Sequence, residues 1–490
     1  MSTSDRGRSD ETSDLPLRLR AALEAAGFTY DAVAGLLGPR AHEALGRNET
    51  TPALRRTAEP SPLATLTRLF LLQAAVPADA AGRALPGLVE ELEHAGFLRT
   101  SGGEARALLD VRPYATETDD LWVVSDLTPG LDGPTGRVPD YHVLGVSPSA
   151  TSLAQLTMRE PVGRALDLGT GCGVQALHLA AHAGSVVATD INQRAVWMAG
   201  FNAALNDIAT IDTRTGWFFA PVADESFDLV VTNPPFVISP DRSGRLVYRE
   251  AGLPADDVVS HVVRHAPDHL TDGGWAQVVA NWLVVEGRPW DERVAGWVPD
   301  GCSAFVVQRE VLDPAAYVEL WLRDEGLHGG AEYVARYDAW LGWFDEQSVE
   351  GIGFGWVNVH KSEHDSAYLD WPYAVEQPVA PAIRDWAAAV THPFSEHDRL
   401  TLRVDVLQET TGEPGAEDPE TIVLRQQRGL RRARRVDTVE AAVAGACDGD
   451  LTVGQIIDAV AALTEREPAE LRATYLPVVR DLLVEGFLTV

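Results

Sequence analysis

Residues 164–237 carry two turns of unusual composition, each placed directly after a short apolar strand, and few folds can hold both. The stretch opens RALDLGTGCGVQALHLAAHAGSVVATDINQRAV and closes with FDLVVTNPPFV. Arg164 to Leu168 has the composition of a buried strand, Gly169-Thr170-Gly171-Cys172-Gly173 that of a tight turn, and Val174 to Ala183 that of a helix. Glycines are required there because the turn needs dihedrals closed to other residues and because a ligand must approach bare backbone. A second apolar strand, Ser185 to Thr189, ends on Asp190, whose carboxylate can accept hydrogen bonds from two ribose hydroxyls. The spacing is G-x-G-x-G, with Val174 where the third glycine of a dinucleotide fingerprint would fall. A nicotinamide dinucleotide is therefore disfavoured.

The discriminating element is Asn233-Pro234-Pro235-Phe236, which follows a fourth strand, Phe227 to Thr232. That position is the carboxyl edge of the sheet, where such folds bind ligands. The two prolines fix φ and remove two amide donors, leaving carbonyls to face a ligand. The Asn233 side-chain oxygen and the Pro234 carbonyl together can accept both hydrogens of a planar NH₂ group, and Phe236 offers a face for stacking. An amine held this way can turn its lone pair towards an electrophilic methyl, so positioning does most of the work.

DLGTGCG, the acidic residue of TDIN, and NPPF resemble motifs of class I S-adenosylmethionine-dependent N-methyltransferases. The similar group is the small-domain one, which contains release-factor glutamine methyltransferases and RNA guanine-N2 or adenine-N6 methyltransferases. The resemblance covers about residues 140–285. It implies that Asp167, Gly169, Thr170, Gly171 and Gly173 line the methionine and ribose side of S-adenosylmethionine, that Asp190 holds the ribose, and that Asn233 to Phe236 hold the target nitrogen. Many relatives carry an aspartate just before the Trp-Phe of the third-strand loop to grip the adenine amine. Here Gly216 stands at that place in Thr215-Gly216-Trp217-Phe218, so Trp217 or a backbone group is expected to hold the adenine instead. The implied fold is α/β: a seven-stranded Rossmann-like sheet whose last strand is antiparallel and inserted beside the fifth.

At 490 residues the chain is too long for one ordinary core, and 45% hydrophobic content says globular. No apolar run approaches a membrane span and the amino terminus is polar, so a cytoplasmic location is expected. Cys172, Cys302 and Cys447 are far apart, with no CxxC pair, which supports neither a disulfide framework nor a zinc site. The net charge is 40 − 72 = −32, which works against unspecific attraction to nucleic acid.

Along the chain, residues 1–14 are expected as a disordered tail and 15–110 as a helical module. Its short helices and the hairpin entry at Gly96-Phe97-Leu98 fit either a winged-helix or a plain helical packing module. Residues 111–365 are expected to form the catalytic domain. Within them, Val111 to Asp126 alternates as strands, Thr128 to Pro139 is a loop, and His142 to Ser152 lies over the cofactor, with Ser147 to Thr151 either a substrate contact or, as the simpler reading, a linker. Arg242, Arg245, Tyr248 and Arg249 form a charged loop after NPPF that is either a lid or plain surface. His261, His265 and His269 recur every four residues, but Pro267 interrupts their helix and no carboxylate completes a ligand set, so no metal is expected. Strands are expected at Gly274 to Trp282, Ala304 to Gln308 and Gly353 to His360. The aromatic stripe in the insertion at 313–346 is expected as core. Residues 366–490 form a last module with six arginines in RQQRGLRRARR, Arg425 to Arg435, facing either RNA phosphates or acidic groups of the protein itself. It ends LPVVRDLLVEGFLTV, an echo of LPGLVEELEHAGFLRT at 85–100.

The expected activity is methyl transfer to an exocyclic amine of an RNA base, most plausibly ribosomal. The alternatives are a protein glutamine, a small-molecule amine, or a cofactor-binding protein without turnover.

Overall fold

The computed structural model describes residues 14–116, 118–133, 138–235, 237–240, 255–327, 329–413 and 419–490. The chain divides into two compact units, Met1–Ala154 with Glu160–Ser362, and Gln155–Arg159 with Glu363–Val490.

In the first unit a mixed sheet is built from β1 (Val162–Leu168), β2 (Ala183–Asp190), β3 (Ile211–Thr215), β4 (Phe227–Thr232), β5 (Leu270–Val285), β6 (Ser303–Leu312) and β7 (Val349–His360). These strands neighbour one another in the order β6-β7-β5-β4-β1-β2-β3. Strands β1 to β5 pair in parallel, whereas β7 lies antiparallel between β5 and β6. Ala165–Leu168, Val186–Thr189 and Leu229–Thr232 are continuously buried, as strands covered on both faces must be, which is why they appear in the sequence as unbroken apolar runs. The last three strands run longer than their apolar cores suggest, because the β5–β7 ladder continues from Trp275 through Val285.

Helix α1 (Pro148–Leu156) precedes β1, α2 (Val174–Ala180) follows the glycine turn, α3 (Gln193–Leu205) follows β2, and α4 (Asp257–His265) precedes β5. The insertion at 313–346 forms α5 (Pro314–Asp324) and α6 (Tyr333–Glu346). Its aromatic stripe is core: Tyr317, Trp340 and Phe344 are buried in one apolar cluster with Ile238 and Ile352.

Residues 15–110 have elements of their own yet share a continuous apolar core with α2 and α3, in which Leu19, Phe28 and Phe97 join Leu177, Met198 and Leu205. Two asparagines on α3 complete the join. Asn202 exchanges hydrogen bonds with the backbone of Val124 (2.8 and 2.9 Å) and Asn206 with that of Trp122 (2.9 and 2.8 Å). Spaced four apart on one helix face, the two amides act as a strand edge for the hairpin Leu109–Ala115/Asp120–Asp126.

The second unit has an antiparallel sheet of Val406–Thr411, Thr421–Gln426 and Ala433–Val436. Its helices Thr438–Ala446 and Val453–Leu463 each begin with a capping box, Asp437 with Glu440 and Thr452 with Gln455. Among the described residues no helix is long and apolar enough to cross a membrane.

Candidate active site

Sheet register brings the two motifs together. Leu168 pairs with Thr189 on one side and with Thr232 on the other, and Asp190 pairs with Thr215. Gly169, Asp190, Asn233 and Gly216 therefore begin four adjacent loops along one carboxyl edge. Thr232 Oγ1 donates to the Leu168 carbonyl (2.7 Å), tying the two central strand ends together.

The turn after β1 adopts the conformations its glycines allow. Gly169, Gly171 and Gly173 have φ of 73°, 54° and 86°, the left-handed region. A Cβ on Gly173 would lie 2.9 Å from the Ala199 Cα, so α3 packs where a side chain would stand. Beside Gly169 and Gly171, by contrast, a Cβ would meet nothing within 4 Å. The turn thus presents bare backbone to open space, which fits the methionine and ribose portion of S-adenosylmethionine.

Asp167 sits beneath this turn and is buried. One of its carboxylate oxygens accepts from Thr170 Oγ1 (2.5 Å) and the Ala176 amide (3.0 Å). Burial pushes its carboxyl up to about 7 against those two hydrogen bonds. Asp190 is half-buried, and its oxygens accept from the Gly171 and Asn192 amides (2.9 and 2.8 Å). Burial raises this carboxyl too. Cys172 is buried in the turn with its thiol pushed up to about 12 by desolvation, so it stays protonated and takes no chemical role. Its carbonyl accepts from Asn202 Nδ2 (2.7 Å).

Across the edge, Pro234 is buried and Asn233 and Pro235 are half-buried. Asn233 Nδ2 donates to Ser149 Oγ (3.1 Å). Asn233 Oδ1 is buried and has no hydrogen-bond partner among the described residues. The chain leaving the motif is clamped at Ile238, whose amide donates to the Tyr317 hydroxyl (2.8 Å) and whose carbonyl accepts from the Trp340 indole (3.0 Å). The 313–346 insertion thus anchors the acceptor loop. Phe236 and the charged residues Arg242, Arg245, Tyr248 and Arg249 lie outside the described residues.

Residues 147–285 match the family described as methyltransferase small domain. This part of the chain is similar to methyltransferase small domains. Residues 25–108 and 382–490 match two further families, each described as a domain of unknown function. The ribosomal protein uL3 glutamine methyltransferase of Bradyrhizobium diazoefficiens is 33% identical over 151 residues, covering 28% of this chain and 46% of that protein. The release factor glutamine methyltransferase of Aliivibrio fischeri is 33% identical over 124 residues, covering 22% and 43%. The chain spans less than half the length of these curated relatives. A solved 16S rRNA N2 G1207 methyltransferase of T. thermophilus, in complex with AdoMet and guanosine, matches at 17% identity over 46% of this chain and 58% of that one, with a TM-score of 0.28.

At Gly216, where the resemblance leads one to expect an aspartate, the turn after β3 has no room for a side chain. A Cβ there would fall 2.3 Å from Pro221 Cγ. Trp217 follows, 54% exposed, and Phe218 has φ of 44°. With α4 this turn encloses a cleft of about 320 Å³ lined by Trp217, Phe218, Phe219, His261 and His265. The Phe218 and His261 rings lie 4.7 Å apart and the His261 and His265 rings 4.4 Å apart. Burial, then the charges of His265 and Arg264, hold His261 below the ordinary imidazole value. Among the described residues no group of three or more His, Cys, Asp or Glu side chains is placed to hold a metal.

One stretch differs from the reading of the sequence. Ser147 to Thr151 is the start of α1 rather than a linker. Ser147 Oγ accepts from the Ala150 amide (3.1 Å) as an N-cap, with Pro148 at the first helical position. The Ser-Pro pair was the available signal. Half of the arginine run follows the second of its two readings, contact within its own unit: Arg425 forms a two-point pair with Glu409 (2.8 and 3.1 Å). Arg434 binds Glu440 (3.2 Å) and Glu485 (3.0 Å), and Arg432 lies 5.8 Å from the Trp371 ring centre. Arg428, Arg431 and Arg435 are exposed.

Proposed function

We propose that the protein transfers the methyl group of S-adenosylmethionine to the side-chain amide nitrogen of a glutamine in a protein substrate. The observation that carries this reading is the buried, unpartnered Oδ1 of Asn233 beside the glycine turn, an acceptor matched to a planar NH₂ group. Bound S-adenosylmethionine supplies an electrophilic methyl on a sulfonium. The substrate nitrogen, held by Asn233 Oδ1 and the Pro234 carbonyl, turns its lone pair to that carbon. The transfer would exchange the C–S bond for an N–C bond, with the electron pair left on sulfur and the N–H proton released to water. Catalysis is orientation and proximity. Gly169, Thr170, Gly171 and Gly173 face the methionine and ribose, Asp190 accepts from the ribose, Trp217 packs on the adenine, and Asp167 braces the turn from below. Phe236 stacks on the flat acceptor group.

The sequence alone leaned towards an RNA base, through the arginine run. Internal pairing of Arg425, Arg432 and Arg434 removes half of that basic patch, and the net charge of −32 opposes phosphate binding. Both curated relatives are named as glutamine methyltransferases, which supports the protein substrate. We read the core as the seven-stranded methyltransferase sheet and the outer modules as winged-helix-like. For residues 62–107, the support is the order of helix, Val76–Pro77, two short helices and the hairpin Leu98–Ser101/Glu104–Ala107. In this reading the outer modules present the substrate protein.

The test supplies methyl-labelled S-adenosylmethionine and the full chain to a lysate lacking it, followed by separation into protein, RNA and small molecules. Label in protein, released by hydrolysis as N-methylglutamine, is the expected result. Label confined to RNA would return the function to base methylation.

A further inference from the structure

We propose that Ser149 is a positioning residue for methyl transfer, fixing which end of the Asn233 amide faces the acceptor nitrogen. This rests on the role given to Asn233 above.

A primary amide has two ends of almost equal shape but opposite hydrogen-bonding character. If Asn233 were free to rotate by half a turn, it would present donor hydrogens to an incoming NH₂ group as readily as an acceptor oxygen. Sterics cannot select between the two states; a partner must. Ser149 Oγ lies 3.1 Å from Asn233 Nδ2 and accepts from it, since the nitrogen carries the hydrogens. It lies 2.9 Å from Ser147 Oγ, which is turned towards α1 by the Ala150 amide (3.1 Å). In the arrangement where Ser149 donates to Ser147, its one hydroxyl proton is used and only lone pairs are left for Asn233. The amide then answers with Nδ2 and turns Oδ1 into the site.

The serine is held by elements that do not touch the acceptor. The Ala150 carbonyl accepts from Gln175 Nε2 of α2 (2.6 Å), and Ser152 Oγ lies 3.3 Å from the Trp356 indole nitrogen of β7. The start of α1 is therefore pinned between the glycine-turn helix and the antiparallel strand, and it reaches the acceptor motif through one side chain. Oδ1 stays buried without a partner, a state that costs free energy unless a ligand completes it.

The test uses the full chain, initial rates of label transfer into the protein fraction of the lysate, and calorimetric binding of S-adenosylhomocysteine. Ser149→Ala should slow transfer about ten-fold, the worth of one oriented hydrogen bond, with cofactor-product affinity unchanged. Ser149→Thr keeps the hydroxyl and should recover most of the rate. Ser149→Val, equal to threonine in shape, should not, and this pair carries the test if the alanine variant fails to fold. Ser149→Ala combined with Asn233→Ala should be no slower than Asn233→Ala alone, because the serine acts through the asparagine. Equal rates for the threonine and valine variants, or additive losses in the double variant, would overturn the proposal while leaving Asn233 in its role. A wild-type rate for Asn233→Ala would instead remove that role and the proposal with it.

Discussion

The two halves of the strand-end edge are built on opposite terms. On the cofactor half the two aspartates are bonded from within: Asp167 by Thr170 and Ala176, Asp190 by Gly171 and Asn192. On the acceptor half the Asn233 side chain is bonded, among the described residues, through its nitrogen, and its oxygen is buried without a partner there. The first arrangement shapes a loop so that backbone meets the ligand. The second holds a functional group in a state that costs about 1–3 kcal/mol until a partner arrives. One half is a mould and the other is an unfinished bond.

If the cofactor half is a mould, removing its internal supports should cost stability before chemistry. The largest effect is expected at Asn202, which serves Val124 and the Cys172 carbonyl together. Asn202→Ala strands three buried backbone groups and should lower unfolding free energy by roughly 3 kcal/mol or more. A urea titration showing a loss below about 1 kcal/mol would remove α3 as a support of the turn.

Gly216→Asp asks whether the family's aspartate can be restored. The clash with Pro221 predicts that it cannot: the variant should lose roughly 1–3 kcal/mol and gain no affinity for S-adenosylhomocysteine. Adding Pro221→Ala should return part of the stability. Tighter binding by the single variant would show that the turn adapts, and the mould would be softer than described.

A pH dependence is expected at Asp167. Its carboxyl titrates near 7 in the folded protein against an ordinary 3.8, so between about pH 4 and 7 the native state holds a proton that the unfolded chain has released. Raising pH through that window therefore weakens the native state, by at most about 1.4 kcal/mol per pH unit, with no further change above it. Asp167→Asn keeps an oxygen for Thr170 and Ala176 but does not titrate. Melting curves should show the variant gaining on the wild type from pH 4 to 7. Parallel curves would mean the carboxyl does not ionise there.

Much of this edge was legible in the sequence because its signals are local. DLGTGCG and NPPF each follow an unbroken apolar strand, and parallel pairing needs no more than that to set them side by side. The aromatic insertion was legible as core for the same reason, although its grip on Ile238 was not. What escaped notice depends on partners far away in the chain. Asn202 and Asn206 are unremarkable on a helix until a hairpin about eighty residues upstream offers its backbone. The arginine run resembles a phosphate site until Glu409, Glu440 and Glu485 are placed beside it. Ser149 lies in a stretch whose sequence fits a substrate contact or a linker, and the Ser-Pro cap before it is the local signal of a helix start.

The most direct test of the account compares two quantities on Asn233→Ala. Transfer of labelled methyl into protein should fall by a hundred-fold or more, roughly the loss expected when a positioned group is removed from the reacting centre. Calorimetric affinity for S-adenosylhomocysteine should remain that of the wild type. Loss of both together would assign Asn233 to the cofactor half, and undiminished transfer would contradict the acceptor role altogether.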